Sequence, residues 1–208
     1  MASKDGPGYD MVEVAATVLL GVAAVAIAWA TFQSGLWGGQ QDEAYTESVR
    51  EANNAVDLLQ AADTIRTFDQ SLFVEVLTSG VCDGGAPNDE AVCEQVLASM
   101  SDEGAAAIEE WLGSERASSP FESTTYLEAL YAPAEEAKAA SERHFAEGAA
   151  ANENGDNYDL AATILTVVLF FAGIAAVLGD RRVSWALLAT AGVLMFGAIA
   201  YMIGLPWA

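Results

Sequence analysis

The sequence predicts an all-α fold: three transmembrane helices that carry an extracytoplasmic antiparallel helical stalk and a small helical cap. Three observations predict it. Three apolar runs, 12–32, 160–178 and 183–205, approach the length of a bilayer span and hold no charge at their centres. The stretch between the first two runs keeps its apolar residues at spacings of three and four, as a helix does. No strand-like alternation and no internal repeat occurs in it. Composition agrees, with 53% apolar and only 18% charged residues in a chain of 208.

Residues 1–11 read as a short cytoplasmic amino terminus. The first span, 12–32, has 21 residues, about 31 Å of helix and close to the hydrocarbon thickness. Ala28-Trp29-Ala30 has the small-x-small spacing of a leader cleavage site, but Lys4 is outweighed by Asp5, Asp10 and Glu13. The run is also long for a leader, so it is expected to remain as an anchor.

Residues 33–159 form the expected extracytoplasmic domain. They hold 26 acidic and 5 basic residues, −21 of the chain's −22. Tyr45, Val49, Ala52, Val56, Leu59, Ala62, Ile65, Phe68, Leu72 and Val76 make one helical stripe. The first membrane helix should continue into this helix, loosening at Gly35, Gly38 and Gly39. Cys82 and Cys93 flank the turn Asp83–Asn88, in a segment that this topology exposes to an oxidising compartment. A disulfide is expected there. Asp89 should cap a short helix to about Met100. A second short helix should run from about Asp102 to Leu112, and a third piece should start at Ser119-Pro120. Pro133 suits a first helical position, with Glu135 and Glu136 in the first turn. From there an alanine-rich helix should run into the second span, presenting Ala134, Ala137, Ala140, Ser141, Gly148 and Ala151 for close pairing with helix 40–79.

The second span, 160–178, and the third, 183–205, are separated only by the loop 179–182, so they form a tight hairpin. Arg181 and Arg182, the only basic pair, place that loop in the cytoplasm by the positive-inside rule and act as topology determinants. Residues 206–208 are then extracytoplasmic. Trp29, Trp37, Tyr158, Tyr201 and Trp207 would lie at the outer interface, and Trp185 at the inner one.

Charge excludes some functions. A chain of −22 lacks the Lys and Arg that neutralise phosphates, so no nucleic acid is expected as a partner. One histidine and two cysteines leave no His-rich or Cys-rich zinc site within one chain, and no cofactor or metal site is expected. His144 beside Glu147 lacks a second histidine and reads as a helix-surface or seam residue. The oxygen-rich stretch Asn152–Asp159 lacks the glycine position and distal Glu of an EF-hand loop. It reads as a polar lead-in to the membrane. Glu109-Glu110 and Glu135-Glu136 point to different sides of their helices and read as solvated acidic faces. The spans lack the mid-bilayer charge of a proton relay. Small-xxx-small pairs such as Ala24/Ala28 and Ala172/Ala176 serve packing either within the chain or between subunits. The acidic excess would concentrate cations weakly over the outer face. Smeared as it is over the domain, it points more to a saline habitat.

The segment Trp29-Ala-Thr-Phe32-Gln33-Ser-Gly-Leu-Trp37-Gly-Gly39-Gln-Gln41 resembles the start of a group of uncharacterised prokaryotic three-span membrane proteins. Ser119-Pro120-Phe121, Asn152, Gly155–Tyr158, Phe170–Gly173 and Pro206 fit the same group. The cysteine loop at 80–94 and the strength of the acidic bias depart from it. The resemblance implies this topology in a prokaryotic cytoplasmic membrane and implies no activity. Within the motif, Trp29, Phe32, Gln33 and Trp37 leave the first span, while Asn152, Asp156 and Tyr158 approach the second. Paired helices would bring them to one height as a polar clamp; alternatively, each helix is anchored separately. The expected function is a non-enzymatic structural, assembly or accessory subunit that forms homo-oligomers or joins a larger membrane complex. The alternative is an oligomeric cation channel with an acidic vestibule.

Overall fold

The computed structural model describes residues 11–82, 89–115 and 118–208. The expected cytoplasmic amino terminus before Met11 and the turn expected at residues 83–88 lie outside the described residues. All regular structure among the described residues is helical: α1 Met11–Ser79, α2 Asp89–Leu97, α3 Asp102–Leu112, a 3₁₀ turn Pro120–Glu122, α4 Thr124–Val177 and α5 Arg181–Ile203. Three of these, α1, α4 and α5, contain stretches long and apolar enough to cross a membrane. The chain divides into two compact units. Residues up to Tyr45 with Phe145–Ala208 make an apolar unit, and Thr46–His144 make an acidic one.

In the apolar unit the packed faces combine small side chains with Tyr158, Leu165 and Val168, which are fully buried. Ala16, Ala23 and Ala30 of α1, Ala161 and Ala172 of α4 and Ala191 of α5 are fully covered, which lets helix backbones approach closely. The outward faces are apolar too: Val177 is 84% exposed and Phe196 76%. So much exposed apolar surface suits hydrocarbon as the surrounding solvent. Gly35, Gly38 and Gly39 do not loosen α1, which continues without a break. Each glycine costs only about 1 kcal/mol in a helix interior. The half-buried Trp37 and the buried Gln33, between and before them, anchor the segment by tertiary contacts. Arg181 and Arg182 lie in the first turn of α5 rather than in a loop. Asp180 caps that turn, accepting from the Arg182 and Val183 amides at 2.9 and 3.4 Å, and so offsets two cations at a helix start.

In the acidic unit the core gathers Ala62, Phe73, Met100, Ile108, Phe121 and Tyr126. Phe73 meets Trp111 and Phe121 edge-on at 5.1 and 5.6 Å, and Phe121 meets Tyr126 at 5.2 Å. Gly80, with φ 67°, ends α1 in the left-handed region. Cys82 and Cys93 are joined by a disulfide with Cα atoms 5.1 Å apart.

Two sequence expectations change here. Pro133 is not at a helix start: α4 begins at Thr124 and runs through it. Ser123 starts the helix early, its hydroxyl accepting from the Tyr126 amide at 3.2 Å. Burial of Tyr126, Leu130, Ala134 and Ala137 on both sides of the proline offsets its missing donor. The stripe along α1 is only partly covered. Ala62 and Val76 are buried, but Val49, Val56, Leu59 and Phe68 remain exposed. The buried line is instead Ser48, Ala62, Asp69, Phe73 and Val76. A second helix covers only a strip of its neighbour, and the covered strip includes two polar residues.

Candidate functional site

The densest set of long-range polar contacts in the apolar unit surrounds the segment 204–208. Trp37, one turn beyond Gln33 on α1, donates its indole N–H to the Pro206 carbonyl at 3.3 Å. Tyr158 of α4 donates its hydroxyl to the same carbonyl at 3.2 Å. Gln33, 3% exposed, accepts the Ala208 amide proton on Oε1 at 3.1 Å. Trp29 meets Trp207 edge-on at 5.7 Å, and Phe32 lies 6.1 Å from Trp29. Tyr201 of α5 donates to Asn157 Oδ1 at 2.8 Å. Two helices thus hold an extended segment by its main chain.

Of the seven residues expected at this height, Trp29, Gln33, Trp37 and Tyr158 engage that segment. Phe32 is half-exposed beside Trp29. Asn152 and Asp156 bond to each other one turn apart on α4, at 3.1 Å. Gly155 faces α1, where a Cβ would meet Trp37 Cβ at an ordinary contact distance of 3.6 Å. Below Trp29 and Trp207, α1 and α5 frame a groove of ≈ 620 Å³ lined by Val18, Gly21, Val25, Met202 and others. Its one hydroxyl, on Thr17, is bonded to the Glu13 carbonyl. The lining suits hydrocarbon rather than a charged ligand.

The acidic unit holds a second polar centre, which sequence reasoning missed. Asp69 of α1 is fully buried. It accepts from the Ser101 amide at 2.9 Å, the Ser101 hydroxyl at 2.5 Å and the Tyr126 hydroxyl at 3.1 Å. Ser101 is also the cap of α3 and accepts from the Gly104 amide at 2.9 Å. Gly104 packs so close that a Cβ would lie 2.6 Å from Asp69 Cγ. Burial, then the neighbouring Asp69, pushes the Tyr126 hydroxyl well above its ordinary pKa. The Tyr131 hydroxyl is also raised, chiefly by its 2.6 Å bond to Asp63. One signal could have found this centre: Asp69 occupies the helical phase of Ala62, Phe73 and Val76, where an apolar residue is expected.

Beside the disulfide, Glu90, Glu94, Asp102 and Glu109 rim a depression floored by Val81, Leu97 and Met100. Among the described residues no three His, Cys, Asp or Glu side chains form a group that could hold a metal ion. His144 is half-buried on α4. No protein-family model, curated protein or solved structure matches the chain.

Proposed function

We propose that the protein is a non-enzymatic integral membrane protein that self-associates and acts as a structural, assembly or accessory subunit. The observation that carries this reading is the use made of buried polar groups. Among the described residues, the buried side chains Gln33, Ser48, Asp69 and Ser184 are each tied to segments of this same chain, while Arg66 Nε is buried without a hydrogen-bond partner. Gln33 holds Ala208, Ser48 meets Ser141 at 3.3 Å, Asp69 gathers Ser101 and Tyr126, and Ser184 bonds back to the Leu178 and Asp180 carbonyls. Their chemistry is spent on fixing helices.

In this reading α1, α4 and α5 cross a prokaryotic cytoplasmic membrane, with Arg181 and Arg182 inside and residues 33–159 outside. Within the acidic unit α1 and α4 pair antiparallel as a stalk. The order of partners supports this: Ser48 with Ser141, Asp63 with Tyr131 and Asp69 with Tyr126. α2, α3 and the 3₁₀ turn cap the stalk. The motif around Trp29–Gln41 supports kinship with the uncharacterised three-span group it resembles. The acidic surface binds cations weakly and suits high salt.

Native mass spectrometry of the chain extracted gently from its own membrane tests the reading. Homo-oligomers, or a defined complex with other subunits, are expected. A population of solitary chains at membrane concentration refutes it.

A further inference from the structure

We propose that the α1 lane formed by Val49, Ala52, Val56 and Leu59 is the surface on which a second copy of this chain docks, parallel and in register. The inference rests on the self-association reading above and names its interface. All four residues lie in the acidic unit. Val49 is 61% exposed, Val56 51% and Leu59 45%, and Ala52 is exposed as well. Their spacing of three, four and three is that of one coiled-coil seam, so the surface suits a helix. One seam position holds Val49 and Val56 and the other Ala52 and Leu59; valine opposite leucine, as in the second heptad, is the pairing that favours two parallel strands.

Charge identifies which helix. A chain of −22 repels its own copy almost everywhere. Along this lane it does not. The exposed flank is Thr46, Asn53 and Gln60, all uncharged. The opposite flank, Ser48, Ala55 and Ala62, is uncharged too. The four charged residues between Thr46 and Ala62 are Glu47, Arg50, Glu51 and Asp57. At about 100° per residue they take other sides of the helix. Arg50 is already engaged by Glu47 and Glu51. The lane ends at Asp63, which accepts from Tyr131. A basic partner would be recognised by acidic residues at the flanking positions, where charges set partner choice. A neutral lane in an acidic molecule instead fits an equally acidic copy.

Two copies that pair side by side through the same lane are related by a two-fold axis along it. Val56 then meets Val56 of the other copy, in an isologous contact.

The test uses the full chain in lipid nanodiscs, with native mass spectrometry as the readout. Val56→Glu combined with Leu59→Glu should weaken the dimer at least about tenfold by burying unpaired like charges. Asn54→Glu, exposed off the lane, should leave the dimer unchanged. Raising salt from about 0.1 to about 1 M should increase wild-type dimer, because the screening length falls from roughly 10 to 3 Å. In the native membrane, a photo-cross-linking residue at position 56 should give a homodimer, and one at position 54 should not. This arm holds even where the double glutamate variant folds poorly. Wild-type oligomers untouched by the double variant, a dimer lost in high salt, or a position-56 cross-link only to another protein would each overturn the lane and leave self-association standing. A wild-type chain that is monomeric throughout overturns both.

Discussion

Replacing Asp69 by alanine removes an acceptor shared by the cap of α3 and by α4. In wild type its carboxylate takes the Ser101 amide, the Ser101 hydroxyl and the Tyr126 hydroxyl at 2.9, 2.5 and 3.1 Å. The Ser101 hydroxyl can turn elsewhere and still accept from Gly104. The Ser101 amide and the buried Tyr126 hydroxyl lose their partner. Each orphaned buried donor costs about 1–3 kcal/mol, so Asp69→Ala should lose about 3–5 kcal/mol once the emptied space is included. Asp69→Asn keeps the shape and one carbonyl acceptor and should lose about 1–2 kcal/mol. Tyr126→Phe should lose about 1 kcal/mol and should not add to Asp69→Ala, since the two share one bond. Gly104→Ala reaches the same centre from the other side. Its Cβ would lie 2.6 Å from Asp69 Cγ, and such overpacking costs about 1–3 kcal/mol. The assay is denaturant unfolding of the full chain in nanodiscs, followed by near-ultraviolet circular dichroism. The edge-on contact of Phe73 with Trp111 supplies a signal from this core. A loss below about 1 kcal/mol for Asp69→Ala, as for an ordinary surface change, would refute the reasoning. So would full additivity with Tyr126→Phe.

Four further outcomes follow from the same contacts. Tyr126 and Tyr131 titrate above their ordinary 10.0 in the folded chain, so above that pH the unfolded state releases protons first. Stability of the acidic unit should hold to about pH 10 and fall as pH rises further, and Tyr126→Phe should shrink the fall in equilibrium unfolding. Gly148→Ala would put a Cβ 2.5 Å from the Tyr45 ring, whereas Gly155→Ala meets its nearest neighbour at 3.6 Å. The first should cost about 1–3 kcal/mol and the second nothing or a slight gain by thermal melting. Gln33→Ala should speed hydrogen exchange at the Ala208 amide, read by NMR, while Tyr158→Phe should not; equal protection in both would remove Gln33 as its holder. Replacing Cys82 and Cys93 by serine opens a closure of sequence separation 11. It should cost about 3 kcal/mol in the chain-entropy picture, with unchanged melting as the contrary result.

The apolar runs were legible because nothing except a bilayer or a deep core accommodates them; α1 holds the first whole, α4 ends one residue short of the second and α5 two short of the third. The boundaries were less legible. Pro133 and Gly35 carry strong local signals, yet tertiary burial around each outweighs a penalty of about 1–3 kcal/mol. Asp69 was hidden among 30 acidic residues. Its phase with Ala62 and Phe73 was visible, but phase cannot say that a serine from a distant cap would meet it. The segment 206–208 was legible only as a place. Gln33 was expected at the height of Asn152 and Asp156, and its partner in the structure is the Ala208 amide. Both are polar groups at one height, and spacing along the chain does not choose between them. The α1 stripe carried the converse lesson. Periodicity marks what a helix could cover, and the neighbouring helix decides what is covered.

The grip on residues 206–208 reads main-chain atoms. Trp37 and Tyr158 converge on a carbonyl, and Gln33 takes an amide proton. Such recognition is nearly blind to side-chain identity at position 208. Mutational drift there should be free, whereas Gln33, Trp37 and Tyr158 should tolerate little exchange among themselves. In a deep mutational scan the holders would stand out as constrained columns beside a permissive captive. A proline introduced at position 208 is the exception, because it alone deletes the proton that Gln33 accepts.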